Sequence, residues 1–250
     1  MREVDSPFAA LIAIFVVQAI AAYVGDLCRR KVRPLRKEER SDFDLLRAAA
    51  LTLLGLIIGF SFAMAVSRYD QRKNLEEAEA NAIGTEYLRA DLLPAEVAAR
   101  VRHLLRSYID LRIRYFEATD KRLISEINAD TAKVQADMWS AVANLEKDTP
   151  STALVRWGMN DVINSQGYAQ AAFWNRIPLS AWYLMGIIAV ACNLLLGYGG
   201  RRTSWFLFIL PVLVSVSFFL IIDIDSPRAG IIRNAPENLL AAQQSMKAGP

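Results

Sequence analysis

Histidine occurs once in this chain of 250 residues, at His103, and cysteine twice, at Cys28 and Cys192. One imidazole and two distant thiols supply neither a zinc site nor a disulfide framework, so His103 reads as a surface residue on a helix and Cys192 as a small packing residue. The motifs GxSxG, HExxH, GxGxxG, CxxC and the P-loop are all missing. With one histidine and no nucleophile elbow or phosphate cradle, neither catalytic chemistry nor a cofactor is read from the chain. A strong excess of one charge is missing too: 29 Lys and Arg against 26 Asp and Glu leave a net charge of only +3. That balance, with no basic aromatic-rich stretch, argues against nucleic-acid binding.

Charge itself is missing from four stretches, Ser6 to Gly25, Ala48 to Ser67, Ile177 to Gly200 and Thr203 to Ile222. Roughly twenty apolar residues rising 1.5 Å each cross a hydrocarbon core of ~30 Å. The chain therefore reads as an all-α membrane protein with four transmembrane helices arranged as two hairpins. Composition agrees, being 54% hydrophobic with a mean hydropathy of +0.21 yet 22% charged, the charges gathered between the apolar stretches. The expected layout is a span at 6–25, a basic loop at 26–47, a span at 48–67, a helical extramembrane domain at 68–176, spans at 177–200 and 203–222, and a tail at 223–250.

The N-terminus resembles a signal peptide at Ala19-Ile20-Ala21, but Met1-Arg2-Glu3-Val4-Asp5 is net negative where a signal peptide is positive. An uncleaved first span is expected. Eight basic residues follow it (Arg29, Arg30, Lys31, Arg33, Arg36, Lys37, Arg40 and Arg47), and Arg201-Arg202 separates the last two spans. The positive-inside rule puts both loops in the cytoplasm and the 68–176 domain outside, which in a bacterial inner membrane is the periplasm. Pro178 suits the start of the third span, Trp182, Tyr183, Tyr198 and Trp205 suit its interfaces, and Pro211 predicts a kink in the fourth.

The second span carries small residues at helical spacing, Ala48, Thr52, Gly55, Gly59, Ala63 and Ser67. Gly55, Gly59 and Ala63 would let another span or another copy approach closely, as small-xxx-small stripes do. Alternatively the span lines an oligomeric pore, with Phe60, Phe62 or Met64 as an apolar constriction that gates by dewetting. No proline interrupts the chain from there to Pro94. A helix is therefore expected to run on past the membrane, carrying Glu76, Glu77, Glu79 and Glu86, and in an oligomer Glu76, Glu79 and Glu86 would ring a vestibule that attracts cations.

In the middle domain Val97, Val101, Leu104, Tyr108, Leu111 and Tyr115 recur at spacings of four and three. Ile124, Ile127, Thr131, Val134, Met138, Ala141 and Leu145 do the same. Two such stripes joined near Thr119-Asp120 predict an antiparallel helix pair, and a third helix is expected from Thr152 to Trp174 after the stop at Asp148-Thr149-Pro150. Arg100, Arg102, Arg106, Arg112 and Arg114 crowd the first of these helices, as a solvated face with some internal pairing, as a surface for anionic headgroups or as the lining of an anion path. Asp223 and Asp225 lie at the membrane edge within reach of Arg228 and Arg233.

The run GLIIGFSFAMAVSRYDQRKNLEEAEANAIGTEYLRADLLP from Gly55, YIDLR from Tyr108 to Arg112, and IIDIDSPRAGIIRNAPENLL from Ile221 to Leu240 resemble the bestrophin-like domain family of bacterial membrane proteins. The resemblance covers about residues 45–245, and EANAIGT and DxDxPRxG are its most specific segments. It implies a four-span helical membrane protein and a homo-oligomeric ion channel lined by the second span, with the lipid bilayer, inorganic ions and further copies of the chain as partners. The alternative is a non-conducting sensor, scaffold or envelope-interaction protein that uses its helical domain.

Overall fold

Proline sets the joints of this chain, because a residue before proline is pushed out of the helical region and proline itself suits a first turn. Pro94 follows the end of the longest helix, Pro150 opens a helix at its first position, and Pro178 caps the next. The structure, a computed structural model, describes residues 7–32, 34–145, 149–200, 205–228 and 230–248. Met1 to Asp5, Ser6, Arg33, Asp148, Arg201-Arg202 and Thr203 lie outside the described residues. Helices run over α1 Pro7–Lys31, α2 Glu39–Arg89, α3 Ala95–Glu117, α4 Lys121–Ala143, α5 Pro150–Trp174, α6 Leu179–Gly199, α7 Ile209–Asp225 and α8 Glu237–Ala248. No strand occurs among the described residues, and four helical stretches are long and apolar enough to cross a membrane.

The chain divides into two compact units. One holds residues 1–67 and 176–232, the other 68–175 and 233–250. In the apolar unit, α1 lies against both α6 and α7, whereas α6 and α7, consecutive in the chain, touch each other little. Spatial neighbours thus do not follow chain order as two sequential hairpins would. The tightest approach is between α1 and α6: a Cβ on Gly25 would lie 2.2 Å from the Leu194 carbonyl oxygen, and one on Gly197 would lie 2.0 Å from that of Ala22. At the same interface Asn193 Nδ2 donates to Gln18 Oε1 at 2.8 Å, joining two buried amides between helices that lipid does not push together. Leu54 of α2 joins Met185, Ala189, Cys192, Val214 and Phe218 in a small core. Cys192 is the packing residue expected, its thiol 3.3 Å from the Ala50 carbonyl.

Pro211 makes no mid-helix kink. A 3₁₀ turn covers Trp205–Phe208, and α7 begins at Ile209, which leaves Pro211 in the first turn. There its missing N–H removes no helical hydrogen bond. At the other end of α7, Asp223 accepts the Ile231 and Ile232 backbone N–H groups at 2.8 and 2.9 Å, and Asp225 accepts that of Ile177. Gly230, at φ 113°, is where this turn needs glycine, since a Cβ there would meet Asp223 Oδ1 at 2.0 Å.

Among the described residues the second unit consists of helices and short connections. Asp120 caps α4 by accepting the Arg122 and Leu123 N–H groups, and Thr149 with Thr152 forms a reciprocal cap on α5. The α3–α4 pair and the third helix thus form where the stripes place them. The core is wider than those stripes, because α3 packs α4 on one side and α8 on another. Leu105, Ile109, Ile113 and Phe116 are buried beside Val101, Tyr108 and Tyr115. The tail is not a free segment: residues 233–250 belong to this unit, and α8 buries Leu239 and Met246 in its core.

Candidate functional site

The part of α2 within the apolar unit buries a narrow stripe, Leu54, Ser61 and Ala65, spaced seven and four residues apart. Ala50, Leu51, Ile57 and Ile58 beside it are partly buried, and the residues on the far side of the helix are uncovered. Gly55, Gly59 and Ala63 are exposed, and a Cβ on either glycine would meet nothing within 4 Å. The glycines are therefore not used for packing within this chain, in contrast to Gly25 and Gly197. Phe60, Phe62 and Met64 are 66%, 42% and 38% exposed. A helix turns about 100° per residue, so Phe62 lies about 160° around the axis from Phe60, on the glycine side, while Phe60 and Met64 share a face. Leu56, 53% exposed, extends that face one turn back. The second span thus carries one broad open apolar arc with two sides, Gly55, Gly59 and Phe62 on one and Phe60 and Met64 on the other, with Ala63 and Leu56 between them.

The three glutamates expected around a vestibule are not on an open face. Glu76, Glu79 and Glu86 are all buried within the helical unit, because they continue the inward stripe of Ala80, Ile83, Tyr87 and Ala90. Each does something different there. Glu76 accepts the Leu239 N–H at 2.8 Å and the Asn238 amide at 2.6 Å, placing a carboxylate at the N-terminus of α8. Glu79 forms a two-pronged pair with Arg112, from its Nε and from Nη2 at 3.2 Å. Both residues are fully buried, and the guanidinium sits 4.5 Å from the Tyr115 ring centroid. Burial raises the Glu79 pKa against the opposing pull of Arg112, whereas Arg112 is held charged by Glu79, and burial pushes the Tyr108 hydroxyl up beside them.

Glu86 is fully buried, and neither carboxylate oxygen has a hydrogen-bond partner. Arg89 Nη1 stands 3.6 Å away. Desolvation pushes its pKa from 4.5 up to about 8, Arg89 pulling the other way and Asp161 adding to the rise. The exposed residues of α2 in this unit are instead Asp70, Gln71, Asn74, Glu77, Ala78, Asn81, Thr85 and Leu88.

Of the five arginines on α3, Arg100, Arg106 and Arg114 are exposed and Arg112 is interior. Arg102 pairs with Asp91, and Arg106 donates to the Met246 carbonyl at the end of α8 at 2.8 Å. His103 is on the surface, as expected. The buried role of Arg112 has a sequence signal, since it falls on the same helical face as Leu105, Tyr108 and Ile109. A charge on an apolar stripe requires a buried partner.

No protein-family model and no curated protein sequence matches the chain. Solved structures do. A variant of a bacterial bestrophin homologue from Klebsiella pneumoniae superposes with a TM-score of 0.67 at 15% identity, covering 97% of this chain and 96% of that one. The form of that homologue phased on zinc gives 0.65 at 17% identity, over 96% and 95% of the two chains. A chain described only as a membrane protein variant gives 0.68 at 13% identity, over 94% and 97%. The protein is a helical, multi-pass membrane protein. Its fold is that of the bacterial bestrophin homologues, over almost the whole chain.

Proposed function

We propose that this chain is one subunit of a homo-oligomeric membrane channel for inorganic ions, with α2 lining the path. The observation that carries the proposal is the uncovered apolar face of Leu56, Phe60 and Met64, in a fold shared with bestrophin homologues. Large apolar side chains repeated every turn and pointing at an axis make a neck that gates by dewetting. The glycine face, with Phe62 beside it, then packs against the neighbouring copy, where Gly55 and Gly59 let two helices approach. The basic segment between α1 and α2 supports a bacterial inner-membrane location with that segment in the cytoplasm. A reporter inserted at residue 130 tests the side on which the helical unit lies.

The function is tested by mass measurement in mild detergent followed by planar-bilayer recording. An oligomer that conducts, with Phe60→Ala altering the open fraction, is the expected result. A monomer sinks the channel, because four uncharged helices cannot by themselves enclose a wet path. Silence from both wild type and Phe60→Ala in an oligomer points instead to a non-conducting scaffold.

A further inference from the structure

Glu86 is the one glutamate of its stripe that the packing does not satisfy. Glu76 holds α8 and Glu79 holds Arg112, but the carboxyl of Glu86 faces α5 with no hydrogen bond within 3.5 Å and only the Arg89 guanidinium near it, at 3.6 Å. In this arrangement the carboxyl occupies the space beside Gly158 that a side chain would begin to fill. A Cβ there would lie 1.8 Å from Glu86 Oε2 and 2.3 Å from Arg89 Nη1. The charged groups acting on it are Arg89, on its own helix and partly exposed, and Asp161, one turn along α5 from Gly158. A buried carboxylate with one long ion pair, no hydrogen bond and another acid acting on it is costly, and the neutral acid costs far less.

We infer that Glu86 is a proton-operated latch: as a neutral acid it seats the end of α2 on α5 at Gly158, and its ionisation loosens that contact. A carboxyl whose pKa is raised on folding stabilises the closed contact fully below its ordinary value of 4.5, and the contribution is lost as the pH climbs toward about 8. Near-neutral pH therefore lies on the slope of the response. Because α2 is also the proposed pore helix, the latch would regulate conduction, a consequence that rests on the channel reading above.

The test is hydrogen exchange on the full chain in detergent at pH 5.5, 7, 8 and 9, read as protection factors that remove the intrinsic pH dependence. In wild type, protection over residues 80–92 and 150–162 should fall by up to about tenfold per pH unit to about pH 8 and level off above it. Glu86→Gln, an uncharged near-isostere, should flatten the profile. If that variant does not fold, Asp161→Asn should move the response to lower pH and Arg89→Gln to higher pH. A wild-type profile without pH dependence, or one unchanged by every variant that folds, overturns the latch. Bilayer currents at pH 6 and 9 read the channel separately: exchange that responds while no current is seen defeats the channel and leaves the latch standing.

Discussion

At the residue scale, the helical unit is organised by charges placed where apolar residues would otherwise be. Arg112 and Glu79 are the deepest of them, both fully buried, with the Arg112 guanidinium over the Tyr115 ring. Such a pair roughly breaks even against an apolar substitute, but removing one partner strands the other. Arg112→Met or Glu79→Leu alone is therefore expected to cost about 3–5 kcal/mol, whereas the double variant should recover much of that loss. Thermal unfolding in detergent compares the three. If both single variants melt within a degree or two of wild type, the pair is not structurally coupled. Each residue lies three or four positions from buried apolar neighbours, a periodic signal that the charge of the two side chains masks in the sequence. Helical periodicity could not match one with the other across 33 residues of chain, because only the packing of α2 against α3 brings the two faces together.

At the scale of elements, small residues do two opposite jobs. Gly25 and Gly197 are filled positions, where any Cβ would strike a backbone carbonyl near 2 Å away. Gly197→Val is expected to destabilise the apolar unit by about 1–3 kcal/mol through overpacking, visible as a lowered melting temperature. Gly55 and Gly59 are open positions. Gly55→Leu should leave the melting temperature of the isolated subunit close to wild type while reducing the oligomeric fraction by light scattering. An unchanged oligomer would remove the glycine face from the interface. The GxxxG spacing made the second pair visible in the sequence. The first pair is invisible there because its two glycines lie on different helices, 172 positions apart in the numbering. The same limit hid α8: its short apolar pattern gains meaning only from the core that Leu239 and Met246 enter and from Glu76 at its N-terminus.

At the scale of the whole molecule, the single chain leaves its second span bare on both sides of one broad arc. Water-soluble proteins cover such surfaces with their own core, while a membrane protein leaves them to lipid or to other copies. Glycine spacing within reach of a second helix, and a large apolar row beside it, fit a ring in which one side meets a neighbour and the other meets the axis. Mass measurement decides first whether the ring exists, and recordings on Phe60→Ala then ask whether it conducts. The fold shared with bestrophin homologues sets the architecture in which these outcomes are judged.

The sequence by itself determined the number of spans, the run of α2 past its apolar stretch and the three helices that follow, because hydrocarbon thickness, helical period and proline act locally along the chain. Only the tertiary structure decided which glycines are packed, that three glutamates face inward rather than into a vestibule, and that the tail returns as a helix. Those outcomes depend on which faces meet, and a helix of 51 residues presents every face in its sequence without saying which ones the rest of the chain will cover.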